Sequence, residues 1–307
     1  MDQQHTTEAD DQSLDDLRPL LFSIAYRMLG SVKDAEDVVQ EAFLRLHRST
    51  AQGTTVRSPR GFLTTVTTRL AIDQLRSARA QRETYFGPWL PEPLLTSSEP
   101  DPAELAEMAD SLSMSFLMLL ETLSPVERAV FLLREVFSYD YAEIAEIVDK
   151  SEANCRQILV RARRHIDEGN PRFEVDQQQQ EQLANRFFDA VDRGQVDQLV
   201  DFLADDIVFT GDGGGKGRGL PNPVFGRERV ARLLRAFFEG YAAIGARFER
   251  VQLNGQPGAL ALDAQGKLIN VFSLDIADGA IQSFRSIINP DKLSHLGLPF
   301  SDAGHAV

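Results

Sequence analysis

The sequence predicts a multidomain chain: two all-α domains, the second carrying a helix-turn-helix, followed by an α+β domain. Three observations predict it. Apolar residues recur at three- and four-residue steps through about the first 168 residues, the period of amphipathic helices. Tyr85 to Pro102 breaks that pattern with Gly87 and five prolines, a density that excludes regular helix. From about Asp176 one amphipathic helix gives way to alternating strand-like runs separated by turn residues.

The elements follow in order. Leu17, Leu20, Leu21, Ile24, Ala25, Met28 and Leu29 line one helix face, and Gly30 stops that helix. Ser31 with Asp34 signals the next start, and Ala35, Val38, Val39, Ala42, Phe43 and Leu46 form its inner face. Ser49 to Pro59 reads as a loop. Gly61 to about Ala80 is helical again, with Phe62, Val66, Leu70 and Leu75 expected inward and the threonines at 64, 65, 67 and 68 lowering helix propensity. The proline-rich stretch also holds Trp89, Leu90, Leu94 and Leu95, so part of it is expected to dock on a surface. A second helical block covers Ala103 to about Glu168, with Ser124-Pro125 and Glu127 as a helix start. Beyond it come a helix through Leu183, Phe187, Phe188 and Val191, a short helix, and a strand at Asp206–Thr210. A glycine-rich loop over Gly211–Gly219, a helix over Arg227–Phe238 and four further strand-like runs complete an expected antiparallel sheet. The domain boundaries expected are 1–84, 85–108 as linker, 109–170, 177–290, and a tail at 291–307.

Composition narrows the function classes. The chain has 307 residues, 43% hydrophobic and 25% charged, an ordinary globular make-up. A single cysteine, Cys155, excludes a disulfide scaffold and a cysteine-cluster metal site. Apolar runs fall short of a bilayer span and the N-terminus is polar, so a cytoplasmic protein without membrane contact is expected. No metal or cofactor site is expected.

The net charge of −14 argues against nucleic acid as a partner, but the charges are segregated. Asp34, Glu36, Asp37 and Glu41 form an acidic run without a base; Arg57 to Arg82 holds six arginines against Asp73; Lys150 to Ile166 holds Lys150, Arg156, Arg161, Arg163 and Arg164 against Glu152. Such sorting points to different partners for different faces. In the last stretch, Tyr141–Val148, a tight Asp149-Lys150 turn and a helix capped by Ser151 make a helix-turn-helix, whose second helix enters the DNA major groove. Val148, Cys155, Ile158, Leu159 and Ala162 face inward, while Asn154, Arg156, Gln157 and Arg161 face outward. Arg pairs bidentately with guanine and Asn or Gln with adenine, and Arg163 and Arg164 would meet phosphates.

Three blocks in order resemble the extracytoplasmic-function sigma factors of bacterial RNA polymerase: Phe22-Ser-Ile-Ala-Tyr-Arg-Met-Leu-Gly30 with Asp34 to Leu46; Gly61-Phe-Leu through Arg69-Leu-Ala-Ile-Asp-Gln-Leu-Arg76; and Leu123-Ser-Pro-Val-Glu-Arg128 with the helix-turn-helix. Gly87-Pro-Trp-Leu-Pro-Glu-Pro93, Asp212-Gly-Gly-Gly-Lys216 and Asn254-Gly-Gln-Pro-Gly258 resemble a subgroup with a fused SnoaL-like domain, a conical α+β fold. The resemblance implies core RNA polymerase and promoter DNA as partners. It implies polymerase contact by Asp34, Asp37, Gln40, Glu41 and Leu44, −10 contact by Arg69, Asp73 and Arg76, and −35 contact by Asn154, Arg156, Gln157, Arg161, Arg163 and Arg164. The loop before Pro59 is placed where relatives hold a flipped −10 base, whose extrusion costs a few kcal/mol. Trp89, Leu90, Pro91, Glu92 and Pro93 and the Asp212, Gly213, Gly214, Gly215, Lys216 loop are expected to be interdomain and regulatory. Asp149 replaces the glycine most such turns carry, and Asp tolerates the left-handed backbone.

Asp212-Gly-Gly-Gly-Lys216 lacks the glycine spacing and the Ser or Thr of a phosphate loop. Asp206, Asp212 and Asp263 are catalytic candidates by analogy with related folds, but no His or Tyr pairs with them at a defensible spacing, and His295 and His305 lie near the terminus; a non-enzyme is expected. The resemblance leaves room for a small-molecule ligand in the C-terminal domain, effective only if it binds one arrangement better than another. A stand-alone regulator with a ligand-sensing domain would also explain the helix-turn-helix, though not the acidic and basic helices before it.

Overall fold

A computed structural model describes residues 14–82, 85–96, 112–169, 177–215 and 220–301. The chain divides into two compact units, Met1–Glu83 with Leu119–Asn170, and Thr84–Met118 with Pro171–Val307.

The first unit is helical. Helix α1 (Arg18–Leu29) ends at Gly30 with φ 66°, and α2 (Val32–Ala51) is capped by the Ser31 hydroxyl, which accepts the Asp34 N–H at 3.2 Å. Helix α3 (Pro59–Arg82) packs against both. Its inner face differs from the expected one. Leu63, Thr64, Thr67, Thr68, Ala71 and Leu75 are buried, while Phe62, Val66 and Leu70 are only half-buried. The buried threonines lie on the inner face, and the Thr64 hydroxyl lies 3.1 Å from that of Tyr139 in the second helical block. Short side chains let two helices approach closely there, and the apolar period alone points to the wrong side.

The second block contributes α5 (Pro125–Phe131), a π-helical turn (Leu132–Val136), α6 (Tyr141–Val148) and α7 (Glu152–Gly169). The Ser124–Glu127 pair forms a full capping box, as does Asp140 with Glu143. Asp149 takes the left-handed conformation at φ 54°, closing the helix-turn-helix without glycine. Arg128 is almost fully buried: its Nη1 donates to the Met28 carbonyl at 2.7 Å and its Nη2 lies 2.8 Å from Glu121. Arg27 is buried as well, which pulls its pKa down to about 10.

The second unit is α+β, with a mixed rather than purely antiparallel sheet. Strands β1 (Leu95–Thr96), β2 (Leu203–Asp212), β3 (Val224–Phe225), β4 (Arg247–Leu253), β5 (Gln256–Leu262), β6 (Leu268–Ala277) and β7 (Ala280–Ile287) lie in the order β1-β4-β5-β6-β7-β2-β3. β2 runs parallel to β7 because the intervening hairpins return the chain to its side in the same direction. β2 also extends to Asp212, into the expected glycine-rich loop. Helices α8 (Gln177–Asp192) and α9 (Arg227–Ala243) cover one face, with Phe187, Phe209, Phe238, Phe272 and Phe284 interlocking beneath them. Phe272 and Phe284 ring centroids are 5.3 Å apart. Tyr241 is buried in the same core, its hydroxyl accepts from Asn270 Nδ2 at 2.9 Å, and burial pushes its pKa up to about 12. Helix α4 (Met114–Leu120) begins in this unit.

Candidate functional site

In the second unit the described part of the proline-rich stretch, residues 85–96, is held against the domain. Asp212 ends β2 fully buried. Its Oδ1 accepts the Tyr85 hydroxyl at 2.5 Å, and its Oδ2 accepts the Leu90 N–H at 2.7 Å and Lys292 Nζ at 2.6 Å. Lys292 also donates to the Leu90 carbonyl and sits 4.2 Å from the Trp89 ring centroid and 4.9 Å from that of Tyr85. Burial, reinforced by the Asp212 carboxylate, pushes the Tyr85 phenol well above its ordinary range. Leu90, Pro91, Glu92 and Pro93 are buried. His295 Nε2 donates to the Pro93 carbonyl at 2.7 Å.

The glycines explain themselves physically. Gly214 has φ 57°, and a Cβ there would stand 2.3 Å from Asn289 Nδ2 and 3.0 Å from Tyr85 Oη. Only glycine lets the loop pass this close to Asn289 and to Tyr85 of the linker. Gly213 is buried, and Gly215 lies against Phe86. Lys216 lies outside the described residues.

Asn254 is a second anchor. It opens the β4–β5 turn at φ 54°, and its side chain behaves as a peptide group. Oδ1 accepts the Leu94 N–H at 2.9 Å, Nδ2 donates to the Leu112 carbonyl at 3.0 Å, and its own N–H donates to the Leu94 carbonyl at 2.8 Å. Beyond it β1 adds to the sheet edge, Leu95 opposite Leu253 and Thr96 opposite Gln252. Ser115 and Met118 of α4 cap the buried Arg285–Asp275 pair. A groove of about 520 Å³ between α8 and β4–β5 has Leu95 and Thr96 in its wall, beside Glu181, Asn185, Arg250 and Gln252. Of these anchors, sequence reasoning missed Tyr85, Asn289, Lys292, His295 and the clamping side chain of Asn254. The signal present was Asn289-Pro-Asp-Lys292, a capped 3-10 turn that aims the lysine inward.

In the first unit, Asp34, Asp37, Gln40, Glu41 and Leu44 share the outer side of α2, and Leu44 is 43% exposed. The Arg45 guanidinium, 2.8 Å from Glu41, holds that carboxyl below its ordinary value and so anionic. Arg69, Asp73 and Arg76 share one side of α3 but not one environment. Arg76 pairs with Asp73 at 2.9 Å in solvent. Arg69 instead reaches the second helical block: Nε donates to the Ile147 carbonyl at 2.9 Å and Nη2 to the Glu146 carbonyl at 2.8 Å, at the C-terminus of α6. A guanidinium suits that negative helix end.

Helix α7 buries Cys155, Ile158, Leu159 and Ala162 and turns Arg156, Gln157, Arg161, Arg163 and Arg164 to solvent, with Asn154 half-buried. Several of the arginines are held by acids of the same unit. Arg156 pairs with Glu152 and lies over the Tyr141 ring, Arg161 is 3.5 Å from Glu127, and Arg163 grips Glu135 through three bonds of 2.9–3.3 Å. If Arg163 meets a DNA phosphate, as the sequence leads one to expect, that phosphate competes with Glu135. Glu135→Gln is therefore expected to raise DNA affinity about threefold at low salt and to steepen its salt dependence by close to one counterion, measured by fluorescence anisotropy across a salt series.

Among the described residues no group of three or more His, Cys, Asp or Glu could hold a metal ion, and no helix is long and apolar enough to cross a membrane.

Residues 14–81 match the family Sigma-70 region 2, residues 113–166 match Sigma-70, region 4, and residues 184–287 match the SnoaL-like domain. The ECF RNA polymerase sigma factor SigJ of Mycobacterium tuberculosis is 35% identical over 288 residues, covering 91% of each chain. The probable ECF RNA polymerase sigma factor SigI of the same species is 32% identical over 91% of this chain and 93% of its own. The crystal structure of M. tuberculosis SigJ superposes with a TM-score of 0.74 at 33% identity, covering 94% of this chain and 99% of that one.

Proposed function

Because the chain belongs to the extracytoplasmic-function sigma factors of RNA polymerase, we propose that it binds core polymerase, directs promoter-specific initiation, and rests in a state its C-terminal domain maintains. The outer face of α2 (Asp34, Asp37, Gln40, Glu41, Leu44) docks on a basic polymerase surface. Helix α3 reads the −10 element through Arg69, Asp73 and Arg76. Helix α7 reads the −35 element through Asn154, Arg156, Gln157 and Arg161, with Arg163 and Arg164 on phosphates. The protein works where polymerase is, in the cytoplasm.

One observation carries the resting-state reading: Arg69 of the −10 helix is bonded to the last carbonyls of α6 in the helix-turn-helix. The two promoter elements lie about 25 base pairs apart, roughly 85 Å at ~3.4 Å per pair. Helices in hydrogen-bond contact do not read both at once. The blocks must part, and the chain between α3 and α4, roughly 30 residues, reaches ~100 Å when extended. Holding residues 85–96 on the C-terminal domain fixes the span of that segment and takes it out of the freely extending chain. The C-terminal domain is thus a brake acting through the linker. Its buried carboxylate, Asp212, is occupied by Tyr85, Leu90 and Lys292, which supports a binding role over catalysis. A small molecule in the groove beside Leu95 and Thr96 would favour the docked linker, since the linker forms part of its wall.

The test is transcription from a randomised promoter library by core polymerase with the full chain. Initiation from sites sharing a −35 and a −10 sequence supports the reading. Specific DNA binding without polymerase and no initiation with it would favour a stand-alone regulator, a reading that gives the acidic face of α2 no task.

A further inference from the structure

We propose that Val160 is a specificity residue that reads a thymine methyl group in the −35 element; this rests on the reading of α7 as the −35 helix. Val160 is 67% exposed, while the buried apolar residues of α7 are at most 7% exposed. A lone exposed valine means little by itself. Its position is what matters. With 3.6 residues per turn, Val160 stands one turn from Arg156 on one side and from Arg163 and Arg164 on the other, at the middle of the solvent-facing arc. A shallow groove runs beside it, bounded by Arg163, Arg164 and Asp167.

When Arg163 and Arg164 engage phosphates and Arg156 reaches a base edge, the middle of that arc faces the base edges. An isopropyl group neither donates nor accepts a hydrogen bond. Against guanine or cytosine it would strip water from polar edges without repayment. The 5-methyl of thymine is the one apolar feature of the major groove. Val160 therefore selects thymine at one position, where the arginines select charge and guanine.

The experiment uses the full chain with core polymerase on a promoter recovered from the library. Each −35 thymine is replaced in turn by deoxyuridine, which lacks only the methyl. Burial of one methyl predicts that a single replacement lowers specific transcription by about fourfold. Val160→Ala, a change on an exposed surface, should lose about as much on the thymine template and become indifferent to that replacement. Wild type indifferent to deoxyuridine at every position, a −35 element without thymine, or a Val160→Ala chain as sensitive as wild type would each overturn the proposal. Gln157→Ala and Arg156→Ala separate the two levels: if they abolish −35 dependence while Val160→Ala does nothing, only the methyl reading fails. If neither has any effect, the assignment of α7 fails with it.

Discussion

Replacing Asp212 with asparagine is expected to free the linker. The carboxylate is fully buried against Lys292, itself nearly buried at 2.6 Å. Neutralising it strands a buried ammonium, and breaking such a pair costs about 3–5 kcal/mol. That moves the docking equilibrium by about two to three and a half orders of magnitude, at ~1.4 kcal/mol per decade. Trp89 is the sole tryptophan of the chain and packs on Lys292, so its emission reports docking without labels. Asp212→Asn should shift it to the red, open residues 85–96 to proteolysis, and raise promoter-specific transcription. Lys292→Met, which removes the other charge, should do the same. Unchanged emission and unchanged proteolysis in both would remove Asp212 from the account.

The second large effect concerns Arg128. Its guanidinium ties α5 to the last turn of α1 through the Met28 carbonyl and to Glu121, and it is 1% exposed. Arg128→Ala removes the bond to the Met28 carbonyl and the ion pair with Glu121. A loss of about 3–5 kcal/mol is expected, roughly 6–20 °C in the melting temperature of the first unit at ~2–4 °C per kcal/mol. Arg128→Lys should recover only part of it, because an ammonium does not reproduce the two-armed geometry. Differential scanning calorimetry resolves this, and a shift under 3 °C for Arg128→Ala would contradict it.

What the sequence made legible is whatever local chemistry determines. The Ser31 and Ser124 caps, the Gly30 stop, the left-handed Asp149 and the inward face of α7 each depend on a few neighbouring residues. What it hid depends on distant partners. The inner face of α3 escapes the apolar pattern because threonine is neutral in it: Thr64, Thr67 and Thr68 are buried, and Thr64 meets Tyr139 of the second block. The parallel pairing of β2 with β7 is decided by how the hairpins return.

The linker site divides the same way. Trp89, Leu90 and Asp212 were legible because apolar residues in a proline-rich segment and a charge beside glycines call for a partner. Lys292 was not, because lysine is almost never buried and its counter-charge lies 80 residues away. Tyr85, 127 residues before Asp212, supplies the phenol that spacing alone did not reveal. Arg69 shows the limit most clearly: the basic helix was visible, but its bond to the backbone of α6, 77 residues on, was not.

The central claim is that the C-terminal domain holds the linker in the free chain and gives it up when core polymerase binds. Fluorine NMR of chain carrying 5-fluorotryptophan at Trp89 reads this directly, since polymerase tryptophans stay unlabelled. The account predicts one shifted resonance for the free chain, moving on addition of core polymerase to the position seen in Asp212→Asn. A resonance that stays in place while the same sample initiates from its promoter would contradict it.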